Sequence, residues 1–465
     1  MIMNNFSTEH TICAISTPKG MGGIAVIRLS GKHAFDIAGK VFRTPNNKPL
    51  TDYPLRQAVY GKIYEQDGLL DEGICVLYQA PSSYTGEDMA EISCHGSLYI
   101  QEHLLQSLIF HGAVLAQPGE YTRRAFLNGK MDLTQAESVA DLIASVSRSS
   151  HKLALQNLKG GFREKIADFR DRLLEFASLI ELELDFSEED VEFADRKALQ
   201  TLLNGMTDEV NHLIESFAQG NAMKHGIPVA IIGKPNVGKS TLLNTLLDEE
   251  RALVSDIPGT TRDTIEDVLI LDGKMFRFID TAGIRHTDNT IEAMGVEKTY
   301  QTVGKAAIIL YVIDASATPY EEVRKELSLL YERVDMKDKK LLIIGNKIDL
   351  MEKLPSPFRL WNELEILYLS AKRKVNIQEL REILLQFSQA DDCEDTLLSN
   401  IRHYECLKHV AEDLKNIFSG LAANLSGDLI AIDIRNAIHH LGEITGEITN
   451  EDILSSVFSK FCIGK

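Results

Sequence analysis

The stretch Gly233-Lys234-Pro235-Asn236-Val237-Gly238-Lys239-Ser240 decides the fold of the central part of this chain. It has the spacing GxxxxGK[ST], follows the apolar run 228–232 and precedes the helix-forming run 241–247. In that setting the glycines let backbone N–H groups surround phosphate oxygens, and the helix N-terminus adds positive potential. Lys239 is expected to reach the β- and γ-phosphates, and Ser240 to bind magnesium. The stretch therefore predicts a nucleotide-binding loop, called the phosphate loop (residues 233–240) below.

The residues around the phosphate loop alternate apolar runs with helical runs from 225 to 387. This alternation predicts a mostly parallel sheet with helices on both faces. An Asp-Gly pair at 272–273 lies between two β-rich runs and predicts a hairpin turn. The expected strands are 228–232, 268–271, 275–279, 307–313, 341–344 and 366–369.

Asn346-Lys347-Ile348-Asp349 follows one of these strands and has the NKxD pattern of guanine-binding GTPases. The carboxylate of Asp349 can accept two hydrogen bonds, from N1–H and the N2 amino group of guanine. Adenine lacks that pair of donors, so a buried Asp349 would reject it. Ser370-Ala371-Lys372 follows the last strand and resembles the second loop on the base side. In order after a phosphate loop, these motifs predict GTP as the nucleotide.

Two further segments resemble the switches of GTPases. Asp280-Thr281-Ala282-Gly283 has the DxxG pattern, in which Asp280 would hold magnesium through water and the Gly283 N–H would contact the γ-phosphate. Thr261, in the preceding segment 259–263, would be a second magnesium ligand. Ile284 stands where small GTPases have the glutamine that orients water, so hydrolysis needs another polar group. The amide of Asn236 could help to bind a monovalent cation.

Length and composition limit the remaining functions. The chain has 465 residues, which suggests about three domains. Its net charge of −19 excludes an overall basic coat for nucleic acid but not a local patch or a nucleic acid held by a partner. No two of the six cysteines form a CxxC pair, and no signal peptide or apolar run of membrane-spanning length is present. These features predict a cytoplasmic protein with no membrane contact.

The expected domains are not in simple sequence order. Residues 1–120 predict an α+β domain, with strands at 11–15, 24–29, 73–78 and 90–94 and a helix at 98–110. Residues 121–224 and 388–465 are predicted to be helical. We expect these two segments to form one bundle, into which the α/β domain of residues 225–387 is inserted.

Apolar residues at helical spacing mark the helices, and Thr134 with Glu137 predicts an N-terminal cap. The acidic segment Glu181–Asp195 is predicted to be a solvated turn. The apolar stripes are Leu133, Ala136, Ala140, Ile143 and Val146; Phe162, Ile166, Phe169, Leu173, Phe176 and Ile180; Leu199, Leu203, Met206, Val210, Leu213 and Phe217; and Ile401, Leu407, Val410, Leu414 and Ile417.

The sequence given ends in Phe461-Cys462-Ile463-Gly464-Lys465. Composition alone favours a frayed segment with an incidental cysteine. The alternative is that Cys462, on a mobile tail beside Lys465, is a nucleophilic thiol of low pKa. The last residues do not fit a prenylation motif. The residues by themselves leave both interpretations open.

Together these motifs resemble the MnmE (TrmE) family of bacterial tRNA modification GTPases over essentially the whole chain. The specific marks are the segments 259–263, 118–128 and 462–465. The resemblance implies that residues 1–120 are similar to folate-binding domains of the glycine-cleavage T-protein type and form a homodimer. It implies that a 5-formyl- or 5,10-methylene-tetrahydrofolate binds near Arg28, Glu91, Lys130 and Lys465.

The same resemblance implies roles in the GTPase domain. Glu292 matches the glutamate that orients the attacking water, and Cys462 matches a cysteine that the tRNA modification requires. Magnesium would be held by Ser240 and Thr261, and potassium by Asn236, Ser255, Ile257 and Thr260. The positions implied to contact GTP are Asn236, Val237, Gly238, Lys239, Ser240, Thr241, Ser255, Asp256, Ile257, Pro258, Gly259, Thr260, Thr261, Asp280, Thr281, Ala282, Gly283, Asn346, Lys347, Ile348, Asp349, Ser370, Ala371 and Lys372.

Members of this family act with a flavoprotein partner, MnmG (GidA), in a heterotetramer. Together they add an aminomethyl or carboxymethylaminomethyl group to C5 of the wobble uridine of certain tRNAs, and the FAD lies on the partner. A chain this acidic is expected to leave most tRNA contacts to that partner. The alternative is a GTP-regulated switch in RNA binding or ribosome assembly, with no chemistry outside the nucleotide site. The lack of a basic and aromatic cluster in the sequence disfavours it.

Overall fold

The chain divides into two compact units in a computed structural model. One unit contains residues 1–143, 157–206 and 409–465, and the other contains residues 144–156 and 207–408. The structure describes residues 10–65, 68–185, 196–248, 267–279, 300–337, 339–351, 358–361, 364–388, 397–423 and 425–464. The domain boundaries inferred from the sequence stay a prediction.

The first unit begins with an α+β domain, as predicted. Its described elements are β1(Ile12–Ile15), β2(Gly22–Ser30), α1(Ala34–Val41), β3(Phe42–Arg43), β4(Val59–Glu65), β5(Gly68–Tyr78), β6(Met89–Gly96), α2(Leu98–Phe110), β7(Val114–Leu115) and α3(Glu120–Leu127). The strand order is β3-β4-β5-β6-β2-β1-β7, antiparallel throughout except that β1 and β7 are parallel.

Alternation along the central strands of this sheet separates its two faces. Ile27, Leu29 and Ile92 belong to the buried apolar core. Residues of opposite parity, including Arg28 and Glu91, therefore lie on the other face. A polar pair on that face is not buried in the main core of the domain.

The helical segment that follows consists of α4(Leu133–Ala144), α5(Arg148–Leu158), α6(Gly161–Asp185), α7(Arg196–Glu215) and α8(Phe217–His225). Every residue of the predicted stripe from Phe162 to Ile180 is buried. The third stripe is confirmed at Leu203, Met206, Val210 and Leu213. The helix α6 continues into the predicted acidic turn as far as Asp185, and residues 186–195 lie outside the described ones.

Two predictions for α4 are wrong. The N-terminal cap is formed by Asp132 and Gln135, not by Thr134 and Glu137. The Gln135 N–H donates to Asp132 Oδ1 at 2.8 Å, and the Asp132 N–H donates to Gln135 Oε1 at 3.1 Å. Asp132 is the N-cap residue because its carboxylate accepts hydrogen bonds both from the Gln135 N–H and from the Thr134 hydroxyl, the latter at 2.6 Å. The apolar stripe also stops early, since the side chains at 143 and 146 are exposed where the helix ends.

The second unit contains a doubly covered sheet. Its described elements are β8(Ile227–Ile232), α9(Lys239–Asp248), β9(Asp267–Leu271), β10(Lys274–Phe278), β11(Ile308–Asp314), α10(Tyr320–Arg333), β12(Lys340–Asn346), β13(Phe358–Trp361), β14(Leu364–Tyr368) and α11(Ile377–Phe387). The strand order is β13-β14-β12-β11-β8-β10-β9. The central strands are parallel and the two edge pairs are antiparallel, which confirms the predicted architecture.

Both faces of this sheet are buried. On β8, Val229 and Ile231 belong to one apolar core, while Ala230 and Ile232 belong to another on the opposite face. The predicted Asp-Gly turn between β9 and β10 is present, with φ of +47° at Asp272 and +75° at Gly273. Positive φ at both central residues is the geometry that suits a two-residue hairpin.

The chain returns to the first unit through α12(Ile401–Ala422), α13(Gly427–Thr445) and α14(Glu451–Phe458). In the first unit, α13 packs against α6, so segments far apart in sequence share one helical core. Leu407, Val410, Leu414 and Ile417 are buried as predicted, but Ile401 is 54% exposed because it is the first residue of its helix. No helix in the described part of the chain is long and apolar enough to span a membrane.

Candidate functional site

The phosphate loop has a backbone that depends on glycine at two positions. Gly233 has φ of +139°, and a Cβ there would lie 2.1 Å from the carbonyl oxygen of Val312 on β11. Gly238 has φ of +99°, and its Cβ would lie 2.3 Å from Nδ2 of Asn346. Asn236 also has a positive φ, of +64°, and is exposed at the loop surface. The loop is therefore held against β11 and against the predicted base-binding motif.

Lys239 lies near the end of the phosphate loop and is the first residue of α9. Its ammonium donates to the carbonyl oxygens of Gly233 and Lys234, both at 2.7 Å. Burial lowers the pKa of Lys239. The lysine is thus already directed along the inner side of the loop, where phosphate would bind. Ser240 is partly buried in the first turn of the same helix, and Thr241 is exposed beside it.

Asn346 connects the phosphate loop to the second base-side loop. Its Nδ2 donates to the carbonyl oxygen of Val237 at 2.8 Å, and its Oδ1 accepts from the N–H of Ala371 at 3.0 Å. Thr245 on α9 adds a hydrogen bond to the Ala371 carbonyl oxygen at 3.0 Å. The three predicted motifs at 233–240, 346–349 and 370–372 are therefore brought together at one edge of the sheet. Asn346 serves as a brace between them.

The predicted specificity residue Asp349 is positioned by Ser370, whose hydroxyl donates to Asp349 Oδ1 at 2.6 Å. Lys347 has φ of +67°, and its ammonium lies 2.8 Å from Asp314 Oδ2. Burial alone would raise the pKa of Asp314, but the hydrogen bonds from Lys347 and Ser316 bring it below its usual value. The turn that carries Asp349 is therefore fixed by an ion pair at Lys347 and by a hydrogen bond at Asp349.

In the first unit, Arg28 on β2 and Glu91 on β6 are directly opposite each other in the sheet and form an ion pair. Arg28 Nη2 lies 2.7 Å from Glu91 Oε1, and Arg28 Nε donates to the same oxygen at 2.9 Å. The guanidinium carbon is 5.5 Å from the ring centre of Tyr84 and 5.7 Å from that of Tyr121. The Tyr78 hydroxyl donates to Glu91 Oε2 at 3.3 Å. This group is called the Arg28 cluster below.

The three tyrosines of the Arg28 cluster, Tyr78, Tyr84 and Tyr121, were not predicted from the sequence. Burial raises the pKa of Tyr84 and of Tyr121, so both phenols are neutral hydrogen-bonding groups at ordinary pH. Alternation along β5 could have put Tyr78 on the face of Glu91, but no local signal identifies the loop tyrosine at 84. Lys130, also predicted for this site, donates to the carbonyl oxygen of Pro81 at 3.1 Å, on the loop that carries that tyrosine.

The C-terminal segment (residues 461–464) is docked on the N-terminal domain. Ile463 forms an antiparallel bridge with Pro118. The N–H of Gly119 donates to the carbonyl oxygen of Cys462 at 3.4 Å. Gly119 is two residues from Tyr121, which donates to the Arg28 carbonyl oxygen at 2.7 Å. The segment and the Arg28 cluster therefore belong to one connected structure.

The expectation of a mobile or frayed tail is wrong for residues 461–464. Phe461 is only 7% exposed and belongs to an apolar cluster with Phe458. The Ser16 hydroxyl donates to the Gly464 carbonyl oxygen at 3.2 Å. Burial of the aromatic ring and backbone hydrogen bonding together fix the segment.

Cys462 is exposed on this docked segment, in contrast to the cysteines of the sheet. Burial raises the pKa of Cys13 and of Cys75 to about 12 and that of Cys94 to about 11. Thiols with such pKa values are almost fully protonated at neutral pH and react slowly. Among the described cysteines, Cys462 is the exposed one.

The remaining predicted positions lie outside the described residues. They are Ser255, Asp256, Ile257, Pro258, Gly259, Thr260, Thr261, Asp280, Thr281, Ala282, Gly283, Glu292 and Lys465. The second magnesium ligand, three of the four proposed potassium ligands and the proposed water-orienting glutamate are among them. Their assignments stay predictions.

Two protein-family profiles together match almost the whole chain. A profile described as GTP-binding protein TrmE N-terminus matches residues 11–130, and one described as MnmE helical domain matches residues 133–462. The chain is 48% identical over 463 residues to the tRNA modification GTPase MnmE of Cytophaga hutchinsonii, covering 98% of this chain and 99% of the relative. It is 47% identical over 470 residues to the protein of the same name from Bacteroides fragilis, covering 98% and 100%.

Two solved structures that are similar to the chain match only part of it. Era in complex with MgGDPNP and a fragment of 16S ribosomal RNA is 25% identical, covers 40% of this chain and 66% of that chain, and has a TM-score of 0.27. The G domain of the T. maritima FeoB iron transporter is 26% identical, covers 35% and 99%, and has a TM-score of 0.26.

Proposed function

The chain belongs to the MnmE family of tRNA modification GTPases, and from this membership we propose that it modifies C5 of the wobble uridine in a potassium-dependent, folate-dependent reaction. With a flavoprotein partner of the MnmG (GidA) type, it would install an aminomethyl or carboxymethylaminomethyl group. The one-carbon unit would come from 5-formyl- or 5,10-methylene-tetrahydrofolate. The proposed assembly is a homodimer that binds the partner as a heterotetramer.

The observation that carries this proposal is the docking of an exposed cysteine on the domain of the Arg28 cluster. Cys462 is held through its backbone by Gly119, in the segment that leads to Tyr121. A thiol in a fixed, exposed position beside a ligand-binding domain suits covalent or acid–base participation better than a frayed terminus does. A GTP-operated switch without other chemistry gives no reason for such a thiol.

The Arg28 cluster has the chemistry that a folate requires. The carboxylate of Glu91 can accept from pterin N–H groups, and the guanidinium of Arg28, 2.7 Å away, can hold that carboxylate in place. The rings of Tyr84 and Tyr121 offer flat apolar surface beside these charges. Lys130 and Lys465 would add positive charge for the tail. Bound folate would supply the one-carbon unit, while these residues bind and orient it.

GTP and magnesium follow from membership in a GTPase family and from the loops at one edge of the sheet. For hydrolysis we propose that Asn236 contributes to a potassium site with Ser255, Ile257 and Thr260, and that Glu292 orients the attacking water. Asn236 is exposed at the loop surface with its amide available to a cation. Replacing Glu292 by Ala should then lower kcat about 100-fold and leave the Kd for GTP nearly unchanged. An unchanged kcat would remove that role.

The net charge of −19 supports the proposal that the partner, and not this chain, makes most of the contacts with tRNA. Phosphate contacts from lysine and arginine dominate the affinity of proteins for nucleic acids. A chain with this excess of carboxylates is expected to bind tRNA weakly alone. We therefore propose that FAD chemistry and most tRNA contacts reside on the flavoprotein.

The deciding experiment is a reconstituted modification assay. The chain, the flavoprotein, GTP, a one-carbon tetrahydrofolate and unmodified tRNA are combined, and modified wobble uridine is measured by nucleoside mass spectrometry. Cys462→Ser should abolish the product while the basal GTPase rate stays at the wild-type value. Cys406→Ser, in a partly buried helical position, is the control and should retain the product. Full activity of Cys462→Ser would overturn the proposed role of the thiol.

A further inference from the structure

The phosphate loop carries a second lysine, Lys234, whose ammonium pairs with carboxylates outside the loop. It forms ion pairs with two carboxylates of α10, a short one with Glu322 and one of 3.2 Å with Glu326. These acidic residues are four positions apart and lie on the same face of the helix. The phosphate loop is therefore linked by ion pairs to helix α10, which begins at Tyr320, 86 residues after Lys234.

One of the two carboxylates is itself anchored in the core. The hydroxyl of Tyr311, on β11, donates a short hydrogen bond to Glu326. Tyr311 is only 6% exposed and belongs to one of the two apolar cores of the sheet. Since a buried ring has little freedom, Glu326 provides Lys234 with a rigid anchor rather than a mobile surface charge.

The main chain of Lys234 takes part in the phosphate site directly. Its carbonyl oxygen is one of the two acceptors, at 2.7 Å, for the ammonium of Lys239. The same residue thus connects the anchored carboxylates, through its side chain, to the phosphate-binding lysine, through its backbone. Gly233 before it is already pressed against Val312 on β11. Both contacts hold the start of the loop to β11.

The charges also have a consequence for the bound nucleotide. An unpaired ammonium on this loop would be attracted to the phosphates and would compete with Lys239 for them. The two carboxylates instead pair with the ammonium of Lys234. The phosphate charge is then left to Lys239 and to the backbone N–H groups.

From this geometry we infer that Lys234 is a positioning residue, which holds the phosphate loop in its nucleotide-binding conformation through Glu322, Glu326 and Tyr311. The loop binds the α- and β-phosphates that GDP and GTP share. The ion pairs are partly exposed, with Lys234 at 47% and Glu326 at 32% side-chain exposure, so the effect is moderate. The inference rests on the nucleotide site alone and not on the proposed uridine chemistry.

The test measures the affinity of fluorescent GDP and GTP analogues in the absence of tRNA, folate and partner. Lys234→Ala should raise both Kd values by the same factor, about fivefold. Lys234→Arg should recover most of the affinity, because a guanidinium can pair with the same carboxylates. Lys325→Ala, which removes the same charge from α10, is the matched control and should leave both Kd values at wild type.

Two more variants test whether Lys234 acts through its contact with Glu326 and Tyr311 or only through its positive charge. Tyr311→Phe removes only the buried hydroxyl. It should raise the Kd values for both GDP and GTP, as Lys234→Ala does, although Tyr311 is not on the loop. Glu326→Gln combined with Lys234→Ala should be no worse than Lys234→Ala alone, because both remove one connection. Additive effects in that double variant, or Kd values for Lys234→Ala within twofold of wild type, would overturn the inference. If Lys234→Ala does not fold, the Kd values of Glu326→Gln and Tyr311→Phe decide it by the same criteria.

Discussion

Gly464 lies so close to Ile15 that a Cβ atom on residue 464 would be 2.3 Å from the Ile15 carbonyl oxygen. Gly464 also has φ of +98°, a conformation that residues with a side chain rarely adopt. The C-terminal segment can therefore dock beside β1 only because residue 464 has no side chain. The position of Cys462, two residues earlier, depends on this contact.

Gly464→Ala should release the C-terminal segment from the N-terminal domain. The added methyl group meets backbone atoms, which cannot move aside as a flexible side chain would. We expect amide hydrogen exchange at residues 461–464 to rise by at least tenfold and tRNA modification to fall by a similar factor. The basal GTPase rate should stay within twofold of wild type.

Gly160→Ala is the matched control for that variant. Gly160 has φ of +96° but no atom within 4 Å of the position of its Cβ. It therefore carries the same backbone strain, about 1–2 kcal/mol, without the collision. If Gly160→Ala and Gly464→Ala reduce modification equally, strain rather than docking explains the loss, and the role of the contact is wrong.

Arg28→Ala should weaken folate binding. It removes the guanidinium that holds the carboxylate of Glu91, which we propose accepts from the pterin N–H groups. Losing a hydrogen bond from the pterin to a charged group costs about 1.5–3 kcal/mol, roughly a ten- to 100-fold increase in Kd. Titration calorimetry with 5-formyltetrahydrofolate measures it. Arg43→Ala, which removes an arginine stacked on Tyr64 in the same sheet at 4.3 Å, should bind folate as wild type does.

Iodoacetamide at pH 8 should label Cys462 far ahead of the cysteines in the sheet. A pKa raised to about 12 leaves only about one thiol in 10⁴ ionised at pH 8, so Cys13 and Cys75 should be unreactive in the folded chain. A raised pKa keeps the thiol in its protonated, unreactive form until the pH approaches that pKa, so labelling of the sheet cysteines should increase with pH. Peptide mass spectrometry over time measures the order. Comparable early labelling of Cys13 would mean that the sheet opens.

Ser370→Ala should reduce the affinity for guanine nucleotides. The Ser370 hydroxyl donates to Asp349 at 2.6 Å and fixes the carboxylate expected to read the base. Losing a hydrogen bond to a charged group costs about 1.5–3 kcal/mol, or roughly ten- to 100-fold in Kd. Ser328→Ala, which removes a hydroxyl bonded to the Arg324 carbonyl on α10, should bind GTP normally. An unchanged Kd for Ser370→Ala would show that Asp349 needs no support.

The GTPase rate should be much higher in KCl than in NaCl at equal ionic strength. The smaller sodium ion would fit poorly into a set of oxygen ligands spaced for potassium. Asn236→Ala should reduce the rate in KCl towards the rate in NaCl. Steady-state phosphate release measures both, and equal rates of the wild-type chain in the two salts would remove the potassium assignment.

Local sequence patterns were enough to predict the nucleotide domain. The phosphate loop, the NKxD motif and the Asp-Gly hairpin are local patterns, because each is specified by the conformations and hydrogen bonds of neighbouring residues. Strict helical spacing likewise predicted the buried stripe of α6. The cap of α4 was missed because two overlapping pairs compete there, and only the geometry shows that Asp132 and Gln135 pair with each other.

Tertiary structure decided the contacts between distant parts of the chain. Arg28 and Glu91 are 63 residues apart and meet only through strand register. Ser16 and Gly464 are 448 residues apart, and Lys234 and Glu322 are 88. Each residue alone is an ordinary surface residue in the sequence. Their roles depend on tertiary packing. Bringing residues that are far apart in sequence together costs conformational entropy, and the rest of the fold must compensate for that cost.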